Sequence, residues 1–137
     1  MPLRPLPEPS TITAPFWEAC KAQRLLLQQC RTCGHIQFYP RSLCTACMSD
    51  QLEWSAARGT GKVYSHSTVY RALVPGFEDD VPYVVAMIEL DEGVRLLSQI
   101  IYCEPEEVFI GLRVSVIFEE AREGVVLPKF RPLPAND

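Results

Sequence analysis

The sequence predicts a mostly β protein: an N-terminal helix, a small cysteine-held ribbon, and a five-stranded barrel. Three observations predict it. Four of the six cysteines fall as two Cys-x-x-Cys pairs, Cys30/Cys33 and Cys44/Cys47. From residue 63 onward, segments rich in β-branched and aromatic residues follow one another, separated by turns carrying Gly and acids. One helical pattern precedes the cysteines, and a single helical turn interrupts the strands between the third and the fourth.

Prolines at positions 2, 5, 7 and 9 forbid helix or central strand in residues 1–10, which read as an extended arm. Thr13 as N-cap with Pro15 in the first turn starts a helix over about 15–22. Phe16, Trp17, Ala19 and Cys20 share one broad face of it. Leu25-Leu26-Leu27 is a short strand leading into Cys30, and Leu52-Glu53-Trp54 returns beside it. Gly59-Thr60-Gly61 marks a module boundary or a bulge. Strands over 63–74, 83–90 and 94–101 form a meander, with Asp91-Glu92-Gly93 as a hairpin turn whose Gly is left-handed. Residues 104–107 supply the helical turn. A fourth strand over 113–119 alternates Val114, Val116 and Phe118 with Arg113, Ser115 and Ile117, and a fifth spans 125–130. That order is expected of an OB-fold, a partly open Greek-key barrel. The domain reading is arm and helix at 1–24, ribbon at 25–57, barrel at 58–132 and tail at 133–137.

With 137 residues, 47% hydrophobic and 22% charged, the chain has the composition of a folded globular protein. A net charge of −4 weighs against a polyanion as the main partner, because nonspecific nucleic-acid affinity comes from Lys and Arg. No apolar run approaches the ~20 residues of a membrane span, and no export signal is legible, so a cytoplasmic location is expected.

The cysteine pairs are the strong chemical signal. Each Cys-x-x-Cys turn points two thiolates to one side, and two such turns joined by a hairpin complete the closed tetrahedron of structural Zn(II). Ten residues separate the pairs, so the hairpin is tight, and Gly34 permits the positive φ of the first knuckle. The reading is a rubredoxin-like zinc ribbon holding one structural Zn(II) on Cys30, Cys33, Cys44 and Cys47. Disulfides lack an oxidising compartment, whereas iron stays open because a rubredoxin uses the same four thiolates. Cys20 and Cys103 read as buried small hydrophobes, His35 as a surface or supporting neighbour of the knuckle, and His66 as a hydrogen-bonded strand histidine. The acid pairs Asp79-Asp80, Asp91-Glu92 and Glu119-Glu120 read as solvated turns, and Gly59-x-Gly61 lacks the rest of a dinucleotide fingerprint. No catalytic residue emerges.

Several segments together resemble a known family, the small zinc-ribbon and OB-fold proteins that accompany thiolases, long filed as a domain of unknown function and later described as acyl-CoA-associated. They are Pro15-Phe16-Trp17-Glu18, the stretch from Leu25 through Cys30 and Cys33 to Gly34, Phe38-Tyr39-Pro40-Arg41, Cys44-Thr45-Ala46-Cys47, Gly59 to Ser65, Pro82 to Ala86, Glu92 to Ser98, and Leu127 to Pro132. The resemblance covers nearly all of 15–132. It implies a non-catalytic accessory subunit of a thiolase-superfamily enzyme, such as a β-ketothiolase, retro-aldolase or acyltransferase, acting on acyl-CoA. Two positions depart from the family pattern: Gln23 stands where Gly is frequent between helix and strand, and Thr45 where Pro is frequent.

Candidate contacts for the partner or the CoA moiety are Phe77, in the loop between the first two barrel strands, and the cations Lys129 and Arg131 around Phe130. The competing function is a single-stranded nucleic-acid binder using Tyr64, Tyr70 and Phe77 as stacking platforms. A stand-alone hydrolase or redox protein lacks a visible site.

Overall fold

The computed structural model describes residues 7, 9–71, 80–122 and 124–133. Its elements are α1 (Ala14–Lys21), β1 (Leu26–Cys30), β2 (Ile36–Gln37), β3 (Leu52–Ala56), β4 (Thr60–Val69), β5 (Tyr83–Leu90), β6 (Arg95–Ile100), a 3₁₀ turn (Pro105–Glu107), β7 (Arg113–Arg122) and β8 (Val125–Pro132). Strands β2-β1-β3 form the antiparallel ribbon sheet, and β4-β5-β6-β8-β7 close into a barrel. The closing order, with β6 and β8 meeting in parallel at Ile100 and Phe130, is that of an OB-fold.

Helix α1 begins differently from expectation. Thr13 is itself helical and its side chain caps nothing downstream. Instead Ser10 and Thr13 cap reciprocally: the Ser10 amide donates to Thr13 Oγ1 at 2.8 Å and the Thr13 amide to Ser10 Oγ at 3.1 Å. The Ala14 amide also donates to the Ser10 carbonyl. At the other end the chain turns through Gln23, whose φ of 60° is the left-handed conformation that a glycine adopts without strain.

Gly61 sits where β4 is flanked by both β5 and β7, opposite Leu90 and Val114. A Cβ there would stand 2.5 Å from the Glu89 carbonyl oxygen, so the barrel closes on a residue without a side chain. The bulge in β4 lies at Tyr64, between Val63 and Ser65, and not at the Gly59–Gly61 stretch. β7 and β8 extend to Arg122 and Pro132, past the expected ends. Two prolines are tolerated in β8 because its full ladder is with β7 alone, while its other flank meets β6 at one residue pair.

The core is continuous from ribbon to barrel. Phe16, Cys20, Leu25 and Leu27 pack in one buried cluster with Val63, Ile88, Leu96, Val114 and Phe130. Phe16 lies edge-on to Trp17 at 4.8 Å and to Phe38 at 5.3 Å, fastening α1 to the ribbon loop.

The hairpin Asp91–Gly93 is fastened rather than solvated. Arg113 donates to both Asp91 oxygens, at 2.8 and 3.2 Å, Thr60 Oγ1 donates to the same carboxylate, and Glu92 Oε2 accepts the Arg58 amide. The hydrogen bond from Arg113, then that from Thr60, hold the Asp91 pKa down to about 2. A depressed carboxylate stabilises the fold above its unfolded pKa of ~3.9, and the benefit is lost as pH falls from there through about 2. Asp91→Asn is therefore expected to cost about 1 kcal/mol at pH 7, and the wild-type advantage should shrink below pH 4. Urea unfolding of both proteins at matched pH checks it, and a pH-independent difference would contradict it.

Candidate metal centre

The two cysteine turns are built alike. In the first, the Gly34 amide donates to the Cys30 carbonyl and the Cys30 amide to the His35 carbonyl; in the second, the Met48 amide donates to Cys44 and the Cys44 amide to Ser49, all at 2.8–2.9 Å. Gly34 and Met48 occupy equivalent left-handed positions, with φ of 80° and 66°. The first knuckle thus uses glycine, while the second holds a 69%-exposed methionine in the same strained conformation.

The four sulfurs lie within 4.8 Å of one another. Cys30 and Cys47 Sγ are 3.7 Å apart, as are Cys33 and Cys44 Sγ. A tetrahedron of metal–sulfur bonds of ~2.3 Å has edges of about 3.8 Å, so the geometry fits a four-thiolate ion. The electrostatics fit as well. Cys33's amide, first among several donors, holds Cys30 down to about 6. The Ser49 amide favours the Cys47 thiolate, but burial and the three neighbouring sulfurs outweigh it and push that thiol up to about 12. Four thiolates at this spacing need a cation between them. Cys30 and Cys44 are buried, Cys33 and Cys47 exposed.

A buried amide network holds the second knuckle against the first. Gln28 and Gln37 are both buried. Gln37 Nε2 donates to Gln28 Oε1 at 2.9 Å, Gln28 Nε2 donates to the Arg41 carbonyl, and the Arg41 amide returns to Gln28 Oε1. Gln37 Oε1 accepts both the amide and the hydroxyl of Thr45. Because that hydroxyl is already donating, His35 Nε2–H donates to Thr45 Oγ1 at 3.1 Å. A proline at 45 would remove the amide donor, so Thr45 and Gln37 belong together. Adjacent glutamines in paired strands were the available signal. Gln37→Leu should cost about 2–3 kcal/mol by stranding Gln28 and Thr45, and should speed metal loss to a chelator severalfold. Unchanged stability and release kinetics would count against the network.

Burial disfavours the thiolate of both remaining cysteines. Cys20 is fully buried, which pushes its thiol up to about 11, and Cys103 is raised by burial, then by Glu107 and Glu104. His66 lies within β4, as expected, and is exposed. Tyr64 and Tyr70 are exposed, but the Arg95 guanidinium lies 3.7 Å over the Tyr64 ring and covers the platform that a base would use.

Phe77 and its neighbours Leu73 and Val74 lie outside the described residues. The expected arrangement of two surface cations around an aromatic ring is corrected. Phe130 is 0% exposed, and Lys129 is buried with its Nζ 2.5 Å from Glu119 Oε1. Arg131 alone is exposed. The physical reason is that both faces of β8 are covered at this point, since the consecutive residues Lys129 and Phe130 are both buried.

Two cavities flank Lys129. One, of about 440 Å³, is an apolar cleft between α1, the Phe38–Pro40 loop and strands β6 and β8, with Trp17, Tyr39, Leu97 and Leu127 in its wall. The other, of about 500 Å³, is polar and lined by Tyr83, Tyr102 and Glu119 among others. Gln99 and Lys129 line both.

Fold and site together define a two-module protein, a four-cysteine ribbon fused through a shared helix to an OB barrel. Residues 17–53 match the domain family described as "ChsH2, rubredoxin-like zinc ribbon domain", and residues 54–119 match "ChsH2, C-terminal OB-fold domain". A "DUF35 domain-containing scaffold protein" of Methanocaldococcus jannaschii is 38% identical over 125 residues, covering 85% of this chain and 88% of that protein. The chain belongs to this DUF35/ChsH2 family of zinc-ribbon and OB-fold proteins. A "Probable enoyl-CoA hydratase alpha subunit" of Thermomonospora curvata is also 38% identical, over 130 residues and 95% of this chain, but the chain spans only 40% of that relative. Among solved structures, a chain of "Ltp2-ChsH2(DUF35) aldolase" superposes with a TM-score of 0.83 at 36% identity, covering 92% of this chain and 98% of that one. Among the described residues no helix is long and apolar enough to cross a membrane.

Proposed function

We propose that this chain is a non-catalytic accessory subunit of a thiolase-superfamily enzyme acting on acyl-CoA substrates in the cytoplasm, and that its cysteines hold one structural Zn(II). The observation that carries the reading is the near full-length likeness to the ChsH2 chain of an Ltp2-ChsH2 aldolase, supported by a relative named as a CoA-thioester hydratase subunit. The chemistry of the chain agrees. Four thiolates close a zinc's coordination sphere and leave no position for substrate, and the other two thiols are held protonated by burial. The partner then supplies the nucleophile, the base and the oxyanion hole. Phe77, which lies in the sequence between β4 and β5, and exposed Arg131 are the proposed contacts with the partner or with CoA phosphates.

The test is co-expression of this chain with a thiolase-superfamily subunit from the same genome. Co-elution, with acyl-CoA turnover by the complex and none by this chain alone, is the expected result. Steady thiol release by the isolated chain, lost in a point variant, would overturn the accessory role; failure of the two to associate would overturn the partner.

A further inference from the structure

The sulfur cluster is open to solvent on one side only. Cys33 and Cys47 are exposed, one in each turn, while Cys30 and Cys44 are buried. Each exposed sulfur has a buried one of the opposite turn beside it: Cys33 with Cys44 and Cys47 with Cys30, both at 3.7 Å. Residues 31–35 and 45–48 around the exposed pair are exposed as well, so small solutes reach both sulfurs. We propose that Cys33 and Cys47 are a modification site for hydroperoxides, and that the products are two disulfides across the ribbon, Cys33–Cys44 and Cys30–Cys47, which keep its turns tied once the ion has gone. This rests on the zinc assignment above and goes beyond it.

A metal-bound cysteine sulfur is a thiolate, the nucleophilic form. An exposed thiolate with a second sulfur beside it oxidises reversibly, because the neighbour resolves the first product before it goes further. With hydrogen peroxide, the Cys33 sulfur attacks one oxygen, the S–O bond forms as the O–O bond breaks, and the departing hydroxide takes a proton to become water. Cys33 is then a sulfenic acid. The Cys44 thiolate attacks that sulfur, the S–S bond forms as the S–O bond breaks, and the second hydroxide takes a proton likewise. Each disulfide thus consumes two thiolates, one peroxide and two protons, and two electrons pass from sulfur to oxygen. Cys47 and Cys30 repeat the steps, whereas Cys20 and Cys103 lie outside the cluster. The pairing decides what becomes of the ribbon. Disulfides within the two Cys-x-x-Cys turns would remove the link between them, but the cross-ribbon pairs keep that link and constrain the chain between the turns.

The experiment exposes the full zinc-loaded chain to excess hydrogen peroxide, follows zinc release with a chelating dye, and maps disulfides by mass spectrometry of unreduced digests. Stoichiometric zinc loss and the two cross-ribbon disulfides are expected, with the zinc-bound thiol form restored by dithiothreitol and zinc. Protease should cut the oxidised chain within 38–51 about tenfold more slowly than a reduced chain stripped by a chelator. Met48, exposed beside Cys47, is the rival target, and Met48→Leu should release zinc at a rate within about twofold of the wild type. Release lost in Met48→Leu, or disulfides confined to Cys30–Cys33 and Cys44–Cys47, would overturn the site. Zinc that is present but stays bound under peroxide overturns this proposal alone. A chain that carries iron instead overturns the zinc assignment and the proposal with it.

Discussion

Cys44→Ser is expected to leave the protein without metal and with its ribbon unfolded. Cys44 is buried, its sulfur is one edge-partner of Cys33 at 3.7 Å, and the Ala46 amide donates to it at 3.3 Å. Removing one of four thiolates breaks a closed coordination sphere whose apparent binding energy in such sites is of the order of 10 kcal/mol. The segment 38–51 contains no regular strand; it is held by Phe38 against Phe16, by hydrogen bonds to Gln28, Gln37, Thr32 and Arg31, and by the cluster of Cys44 and Cys47 with the other two sulfurs. Elemental analysis should fall from one zinc per chain to none, and protease should cut within 38–51. A variant that keeps its metal would refute the four-sulfur site, and a wild type absorbing in the visible would replace zinc by iron.

Phe130→Ala is expected to cost about 3–5 kcal/mol, the largest effect of any single truncation in the barrel. The ring is wholly buried, and its backbone is the joint where β6, β8 and β7 meet: it faces Ile100 on one side and Val116 on the other, and its carbonyl accepts the Ile101 amide at 2.8 Å. The cavity would open at the one place where β6 and β8 are paired. Arg131→Ala, one residue on and exposed, should stay within about 0.5 kcal/mol. Urea unfolding of the two variants reads the contrast, and equal costs would show that the barrel does not close on Phe130.

Much of this was legible because it rests on local pattern. Strand β5 runs from Tyr83 to Leu90 as its apolar, β-branched-rich run implies, and every second residue is buried. The cysteine spacing led to the sulfur cluster, and the frequent glycine at position 23 corresponded to a positive φ at Gln23. What escaped depends on partners distant in sequence. Lys129 looks like a surface cation until β7 brings Glu119 across from it, and Asp91 looks like a solvated turn until Arg113 arrives from β7. Gln28 and Gln37 carry no periodicity that separates a buried amide pair from two surface residues. Thr13 stands at the cap position of α1, but its hydroxyl pairs with Ser10 instead of the helix amides, a choice that only the backbone path reveals.

The single core running from Phe16 and Leu27 into Ile88 and Val114 has a mechanical consequence. Ribbon and barrel do not swing like beads on a string; they form a bracket whose angle is cast by shared side chains, with the four-sulfur site at the tip of one limb. Whatever rests on the barrel limb therefore feels the loss of an ion it never touches, through Leu27 and Phe16. Occupancy of the four-sulfur site thereby becomes a gauge of whether the bracket holds its shape.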